Sequence, residues 1–319
     1  MQTEPLLTIS GLTKRFPVAT DFFGRPSSFV SAVNSVSLEI RQGETLALVG
    51  ESGSGKSTLA RLLLRLIEPT SGSVHFDGID VLAADKRQMH EFRRKAQIIF
   101  QDPFESLDPR MKGEAIVSEG MARLGRSKPA MRARVAELLD LVQLPADAAQ
   151  RFPHEFSGGQ RQRLSIARAL AVDPVFIVAD EPVSALDVSM QSQILNLMRD
   201  LQDQLGLTYL FISHDMSVIR HMADRIAVMY LGRMVEIGRA DDVFTNPVHP
   251  YTQTLLSAVP PLIVGDTSAI RMMSFEESLA SIAGCQHDPD AMQQVAGQPG
   301  HFVACFDRNS WDRLKLRAR

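Results

Sequence analysis

Gly50-Glu51-Ser52-Gly53-Ser54-Gly55-Lys56-Ser57 is the stretch that decides how this chain reads. It has the spacing GxxxxGK[ST] and follows the apolar run Thr45–Val49. Leu59, Leu62, Leu63, Leu66 and Ile67 come next at helical intervals, and Glu68-Pro69 is the expected helix end. Glycines let such a strand-to-helix loop curl until successive N–H groups point inward at phosphate oxygens. The helix N-terminus adds partial positive charge. Lys56 would then reach the β- and γ-phosphates of a nucleotide, and the Ser57 hydroxyl would ligate Mg²⁺. The fixed positions match by chance about one time in a hundred in a chain of this length. Gly50 through Thr58 are therefore candidate nucleotide-binding residues.

A second acidic element lies downstream, in Phe176-Ile177-Val178-Ala179-Asp180-Glu181. An apolar strand ending in an acid suits a Mg²⁺ held by Asp180, with Glu181 orienting and polarising the attacking water. Two acids after a strand are, in isolation, more often a solvated strand end. The phosphate cradle upstream reverses that preference.

Composition narrows the function classes. The chain has 319 residues, 45% of them hydrophobic, with a formal net charge of −3. The charges are mixed along the chain, which is not the basic footprint of a nucleic-acid binder. No apolar run approaches the roughly 18 residues needed to span a bilayer. The N-terminal MQTEPLLTIS lacks the pattern of a signal peptide, so a cytoplasmic location is expected. Cys285 and Cys305 supply no disulfide framework and agree with a reducing compartment.

Short strands are expected at Leu6–Ile9, Val33–Ile40, Thr45–Val49, Ala96–Phe100, Phe176–Ala179 and Thr208–Ile212. A hairpin should join Ile226–Tyr230 to Met234–Ile237, turned at Gly232. Pro17, Gly24 and Pro26 make Phe16–Val30 an expected loop insertion. Asp187 is an expected N-cap for a helix carrying Met190, Ile194, Leu197, Leu201 and Leu205 on one side. Strands alternating with helices imply an α/β fold with a mostly parallel sheet and a helical subdomain inserted at about 102–170.

The element that names a family is Phe156-Ser157-Gly158-Gly159-Gln160-Arg161-Gln162-Arg163. Ser157 and two glycines ahead of a helix form a second anion cradle. Here the sequence resembles the ABC ATPases, whose signature reads LSGGQ, with a phenylalanine in the first position. Order supports the resemblance. Gln101 stands where the family has its Q-loop glutamine, Ser184-Ala185-Leu186-Asp187 is similar to the D-loop, and His214 occupies the place of the switch histidine. Phe16 stands where family members stack an aromatic on adenine, though it could equally be a core residue.

The resemblance implies an ABC-type P-loop NTPase core in residues 1–238 and an accessory C-terminal extension in 239–319. It implies catalytic roles for Glu181, His214 and Gln101, Mg²⁺ contacts for Ser57, Gln101 and Asp180, and ATP contacts for Phe16, Ser157, Gly158, Gly159, Gln160 and Asp187. In the family, one subunit's signature closes over the ATP held by its partner. Within the family the match is closest to peptide-importer ATPases, through Asp180–Ser189, Val228–Arg233 and Asn246-Pro247-Val248-His249-Pro250-Tyr251-Thr252-Gln253. The insertion after Phe16 resembles the second of the two ATPases these importers carry.

The implied partners are a second, different ABC ATPase, two membrane-spanning permease subunits and, indirectly, an extracytoplasmic substrate-binding protein. The implied site of action is the cytoplasmic face of the bacterial inner membrane. The importer group often ends in a four-cysteine iron–sulfur cluster, but two cysteines are too few for it. Zinc on Cys285, His287, His301 and Cys305 has unusual spacing, which leaves two inert thiols as the default.

Rival readings are a soluble ABC ATPase acting on ribosomes or DNA and an exporter motor. A single GxxxxGK[ST] loop, a single signature and roughly 100 residues between Ser57 and Ser157 disfavour the first. The lack of a membrane segment disfavours the second.

Overall fold

In this computed structural model the described residues are 4–20, 26–257, 273–274, 277–278 and 292–306. The chain begins with β1 (Pro5–Thr20), β2 (Pro26–Arg41), β3 (Thr45–Val49), α1 (Lys56–Leu63), β4 (Ser71–Phe76) and β5 (Ile79–Asp80). Next come α2 (Lys86–Lys95), β6 (Ala96–Ile99), α3 (Pro103–Ser106), α4 (Gly113–Arg123), α5 (Lys128–Leu141) and α6 (Gly158–Leu170). Strand β7 (Phe176–Asp180), α7 (Val188–Leu205), β8 (Thr208–Ile212), α8 (Met216–Met222), β9 (Arg225–Tyr230) and β10 (Arg233–Arg239) follow. The last elements are α9 (Ala240–Thr245), α10 (Pro250–Ser257), β11 (Met292–Gln294) and β12 (Phe302–Ala304).

Two compact units result. Met1–Leu82 and Ser213–Arg319 form the first, and Ala83–Ile212 the second. In the first unit, β1 pairs antiparallel with β2 and β4. Strand β3 pairs parallel with β9, with Val49 beside Val228. Leu46, Ala47, Leu48 and Val49 are all fully buried, as a continuous apolar strand should be when both its faces are covered. Strands β9, β10, β12 and β11 continue antiparallel, so β12 ties the C-terminal segment to β10. In the second unit β6, β7 and β8 run parallel, and α4 and α5 pack with α6.

Two local expectations change. Phe16–Val30 is not wholly a loop, because the β1–β2 ribbon runs on with Phe16 opposite Val30 and Pro17 opposite Phe29. Pairing of β1 with β4 stops at Thr13, so a proline beyond it interrupts no ladder on that side. Helix α1 also stops sooner than Glu68. Leu66 N–H bonds the Arg61 carbonyl at 2.8 Å and Arg65 N–H bonds the Leu62 carbonyl at 2.9 Å. With Arg65 at φ 47, this is a Schellman ending, which leaves Leu66 half exposed.

Candidate active site

The loop Gly50–Ser57 joins β3 to α1 as the spacing requires, and its shape depends on two glycines. Gly50 has φ 151 and an added Cβ would lie 2.2 Å from the Met229 carbonyl oxygen. Gly55 has φ 106 and its Cβ would lie 2.1 Å from the Ala32 carbonyl oxygen. Neither position admits a side chain. Lys56 is buried and folds back on the loop, its Nζ donating to the carbonyls of Gly50 (2.7 Å) and Glu51 (2.8 Å). Ser57 and Thr58 occupy the first turn of α1 and are partly exposed, whereas Glu51, Ser52 and Gly53 face solvent. The turn between β9 and β10 braces the loop, since Gly232 N–H donates to the Ser54 carbonyl at 2.9 Å.

In the second unit, β7 delivers a buried Asp180 and then Glu181 at φ 48, a left-handed backbone rare for a side-chain-bearing residue. Gln101 Nε2 donates to Glu181 Oε2 at 2.9 Å. The structure thus joins two of the three expected catalytic side chains directly. His214 is exposed, immediately before Asp215, which caps α8 by accepting from Ser217 N–H at 2.8 Å.

The signature sits where α6 begins. Ser157 is exposed and forms a reciprocal cap with Gln160: its Oγ accepts from Gln160 N–H, and its own N–H donates to Gln160 Oε1 at 3.1 Å. Phe156 is buried, so the atypical first residue serves as core. Gly158 is partly exposed and Gly159 buried, with Met190 Sδ only 3.0 Å from where a Gly159 Cβ would stand. The arginines of this helix turn inward, Arg161 onto the Pro153 carbonyl (2.6 Å) and Arg163 onto the Val142 carbonyl (2.8 Å). Asp187 caps α7 as expected, accepting from Met190 N–H at 2.9 Å and the Ser189 hydroxyl at 2.7 Å. Those bonds hold its carboxyl below the usual range.

Phe16 lies on β1, 39% exposed, with the Lys14 ammonium 5.1 Å from its ring centre. Of the two readings for it, the core reading fails on burial.

Residues 33–184 match the family described as "ABC transporter", and residues 235–290 match "Oligopeptide/dipeptide transporter, C-terminal region". The oligopeptide transport ATP-binding protein OppF of Bacillus subtilis is 48% identical over 96% of this chain and 97% of its own length. The chain belongs to the ABC transporter ATP-binding proteins. A putative peptide import ATP-binding protein of Brucella ovis is 52% identical over 97% of this chain and all of its own. A solved ATP-binding cassette, dimeric in a post-hydrolysis state with ADP and Pi, superposes with TM-score 0.65 at 30% identity. It covers 73% of this chain and 98% of that one. This ABC protein is an ATPase, and among its described residues no helix is long and apolar enough to cross a membrane.

Asn246–Gln253, part of this ABC ATPase's resemblance to peptide importers, carries a side chain that reaches the Gly50–Ser57 loop. Tyr251, fully buried, accepts a 2.8 Å hydrogen bond at Oη from Glu51 N–H, inside the Gly50–Ser57 loop. Of the residues considered for zinc, Cys285 and His287 lie outside the described residues. His301 has both ring nitrogens engaged, Nε2 with Glu236 Oε1 at 2.8 Å and Nδ1 with Gln298 Oε1. Cys305 is disulfide-bonded in place of the inert thiol expected.

Proposed function

We propose that this ABC ATPase drives uptake of peptides or a related small solute, working as one ATPase of a bacterial importer. What carries the reading is that relatives named for oligopeptide and peptide import align along nearly the whole chain, the C-terminal segment included. Residues 1–238 would be the ATPase domain and 239–319 an importer-type extension.

Lys56 would leave the carbonyls of Gly50 and Glu51 for the β- and γ-phosphates, drawn by the larger negative charge. N–H groups of Gly50–Thr58, apart from that of Glu51, which Tyr251 holds, would cradle the phosphates, and Phe16 would stack on the base. The hydroxyl of Ser57 and the buried carboxylate of Asp180 are hard oxygen donors of the kind Mg²⁺ takes. Gln101, with its amide nitrogen committed to Glu181, would offer its oxygen. Bound Mg²⁺ would neutralise charge developing on the phosphates. Glu181 would polarise the attacking water and His214 would contact the γ-phosphate. Ser157, Gly158, Gly159, Gln160 and Asp187 would meet ATP held by the partner subunit.

ATP bridging two subunits stabilises their closure, and hydrolysis removes the bridge, which makes a two-state switch. The partner is a second, different ABC ATPase, with two permease subunits at the cytoplasmic face of the inner membrane and an extracytoplasmic binding protein beyond them. Asp102–Met111 would carry the switch to a permease. Two cysteines give no basis for an iron–sulfur cluster. The experiment is co-purification of tagged Glu181→Gln from native membranes in Mg-ATP. Recovery of a second ATPase with two membrane subunits supports the importer, and recovery of ribosomes or DNA-bound factors without them overturns it.

A further inference from the structure

Carbonyl of Gly50 and N–H of Glu51 belong to one peptide plane, and that plane is gripped from both sides. Lys56 Nζ sits on the carbonyl at 2.7 Å, and Tyr251 Oη takes the N–H at 2.8 Å. The Glu51 carbonyl, the next acceptor along, also holds Lys56. Glycine precedes this peptide, so the backbone itself resists its rotation weakly. A donor and an acceptor on opposite ends of one amide polarise it and strengthen each other. The tyrosine therefore fixes the orientation of the carbonyl on which the phosphate-seeking lysine rests.

Tyr251 is itself held by a buried polar chain. Its ring packs on Tyr230, with centroids 4.3 Å apart. Its N–H donates to His249 Nδ1 at 3.1 Å. Glu236, fully buried, accepts from Val248 N–H (2.9 Å) and His249 N–H (3.0 Å) and bonds His301 at 2.8 Å. Val248, Val295, Val303 and Phe306 close an apolar cluster around this chain, and Phe306 meets the His249 ring edge-on at 5.3 Å. A rigid, satisfied polar network of this kind specifies one side-chain arrangement. Its terminus is the nucleotide loop.

We infer that Tyr251 is a positioning residue for ATP: by clamping the Gly50–Glu51 peptide, it lets the C-terminal segment pre-set the loop and Lys56 for nucleotide. The inference rests on Gly50–Ser57 being the nucleotide site. Without the clamp the loop samples other peptide orientations, and ATP must first select the competent one, which weakens apparent affinity by the fraction lost.

The test compares the full-length chain with Tyr251→Phe, which keeps the ring and removes the acceptor, and with Lys56→Ala. Mg-ATP affinity, ATPase KM and kcat, and amide hydrogen exchange across residues 50–57 are measured. Tyr251→Phe should weaken affinity and raise KM about 2- to 10-fold, the range of one net hydrogen bond. kcat should change less than about twofold and exchange at Glu51 should rise. A purely structural loss would instead reduce kcat by lowering the number of folded sites and leave KM unchanged, which overturns the inference. Wild-type affinity in Tyr251→Phe with affinity lost in Lys56→Ala also overturns it while sparing the site. Wild-type affinity in Lys56→Ala overturns the site and the inference together.

Discussion

Gln101 Nε2 and Glu181 Oε2 are 2.9 Å apart, a hydrogen bond that spans 80 residues of sequence and ties one carboxylate oxygen to the glutamine. The backbone of Glu181 is fixed as tightly. Its N–H donates to the Ile212 carbonyl at 3.0 Å, its carbonyl accepts from the Ser184 hydroxyl at 3.1 Å, and it holds φ 48. Strain retained at such a position fits a side chain that must be aimed. Glu181→Gln should lower ATP turnover at least about 100-fold, the lower end for a lost general base, with ATP affinity retained. Gln101→Ala should lower kcat roughly tenfold through a misaimed carboxylate. Phosphate release and equilibrium nucleotide binding measure both. A native rate in Glu181→Gln would remove that residue from water activation.

Gly55 and Gly53 separate two reasons for a glycine. Both have positive φ, 106 and 80, but an added Cβ meets the Ala32 carbonyl at 2.1 Å at Gly55 and nothing within 4 Å at Gly53. Gly53→Ala should therefore cost about 1–2 kcal/mol from backbone conformation alone. Gly55→Ala must also displace β2 and should cost about 3 kcal/mol or more, abolishing nucleotide binding. Denaturant unfolding with a binding titration distinguishes them. Equal losses in the two variants would mean that β2 yields easily at Ala32.

The strand–loop–helix turn at Gly50–Ser57 was readable in the sequence because its geometry is written in contiguous residues. Four fixed types at fixed spacing, between a buried strand and a helix, leave few other structures. Asp187 was readable as a cap for the same reason, since its acceptors' donors lie within three residues. The β1–β2 ribbon was hidden because Pro17, Gly24 and Pro26 are local turn signals, and only pairing between strands overrides them. Tyr251 was hidden for a different reason: its partner in the loop is 200 residues away, and nothing near it in sequence points to that loop. The cap on Ser157 shows the converse, where a residue expected to recognise phosphate is seen capping a helix and the sequence alone does not say which role dominates.

Ser157 permits that division to be measured. Its hydroxyl caps α6, and its loss in Ser157→Ala should cost about 1 kcal/mol. Aspartate caps about as well as serine, so Ser157→Asp should retain stability while placing a negative charge where phosphate is proposed to dock. Thermal unfolding should rank wild type near Ser157→Asp and above Ser157→Ala. ATPase activity of the assembled transporter should be lost in Ser157→Asp. Full activity in that variant would leave Ser157 a cap and nothing more.

His249 gives the chain a pH dependence with a definite sign. Burial pushes its pKa from 6.5 down to about 4, against the opposing pull of Glu236, and its Nδ1 accepts from Tyr251 N–H, which only the neutral ring can do. Unfolded, the ring titrates near 6.5, so between about 6.5 and 4 the unfolded chain binds the extra proton. Its contribution is complete above about pH 6.5, declines as pH falls toward 4, and changes no further below that. Between pH 7.5 and 5.5 the loss should be about 1 kcal/mol, against a ceiling of about 3 kcal/mol at lower pH. His249→Asn places an oxygen near the Nδ1 position and cannot protonate in this range, so its stability should decline less over the same interval. Urea unfolding at the two pH values isolates the difference from other titrating groups, because both proteins share them. Superimposable pH slopes would mean that the folded chain accommodates the charged imidazole even though protonation forfeits the bond from Tyr251 N–H.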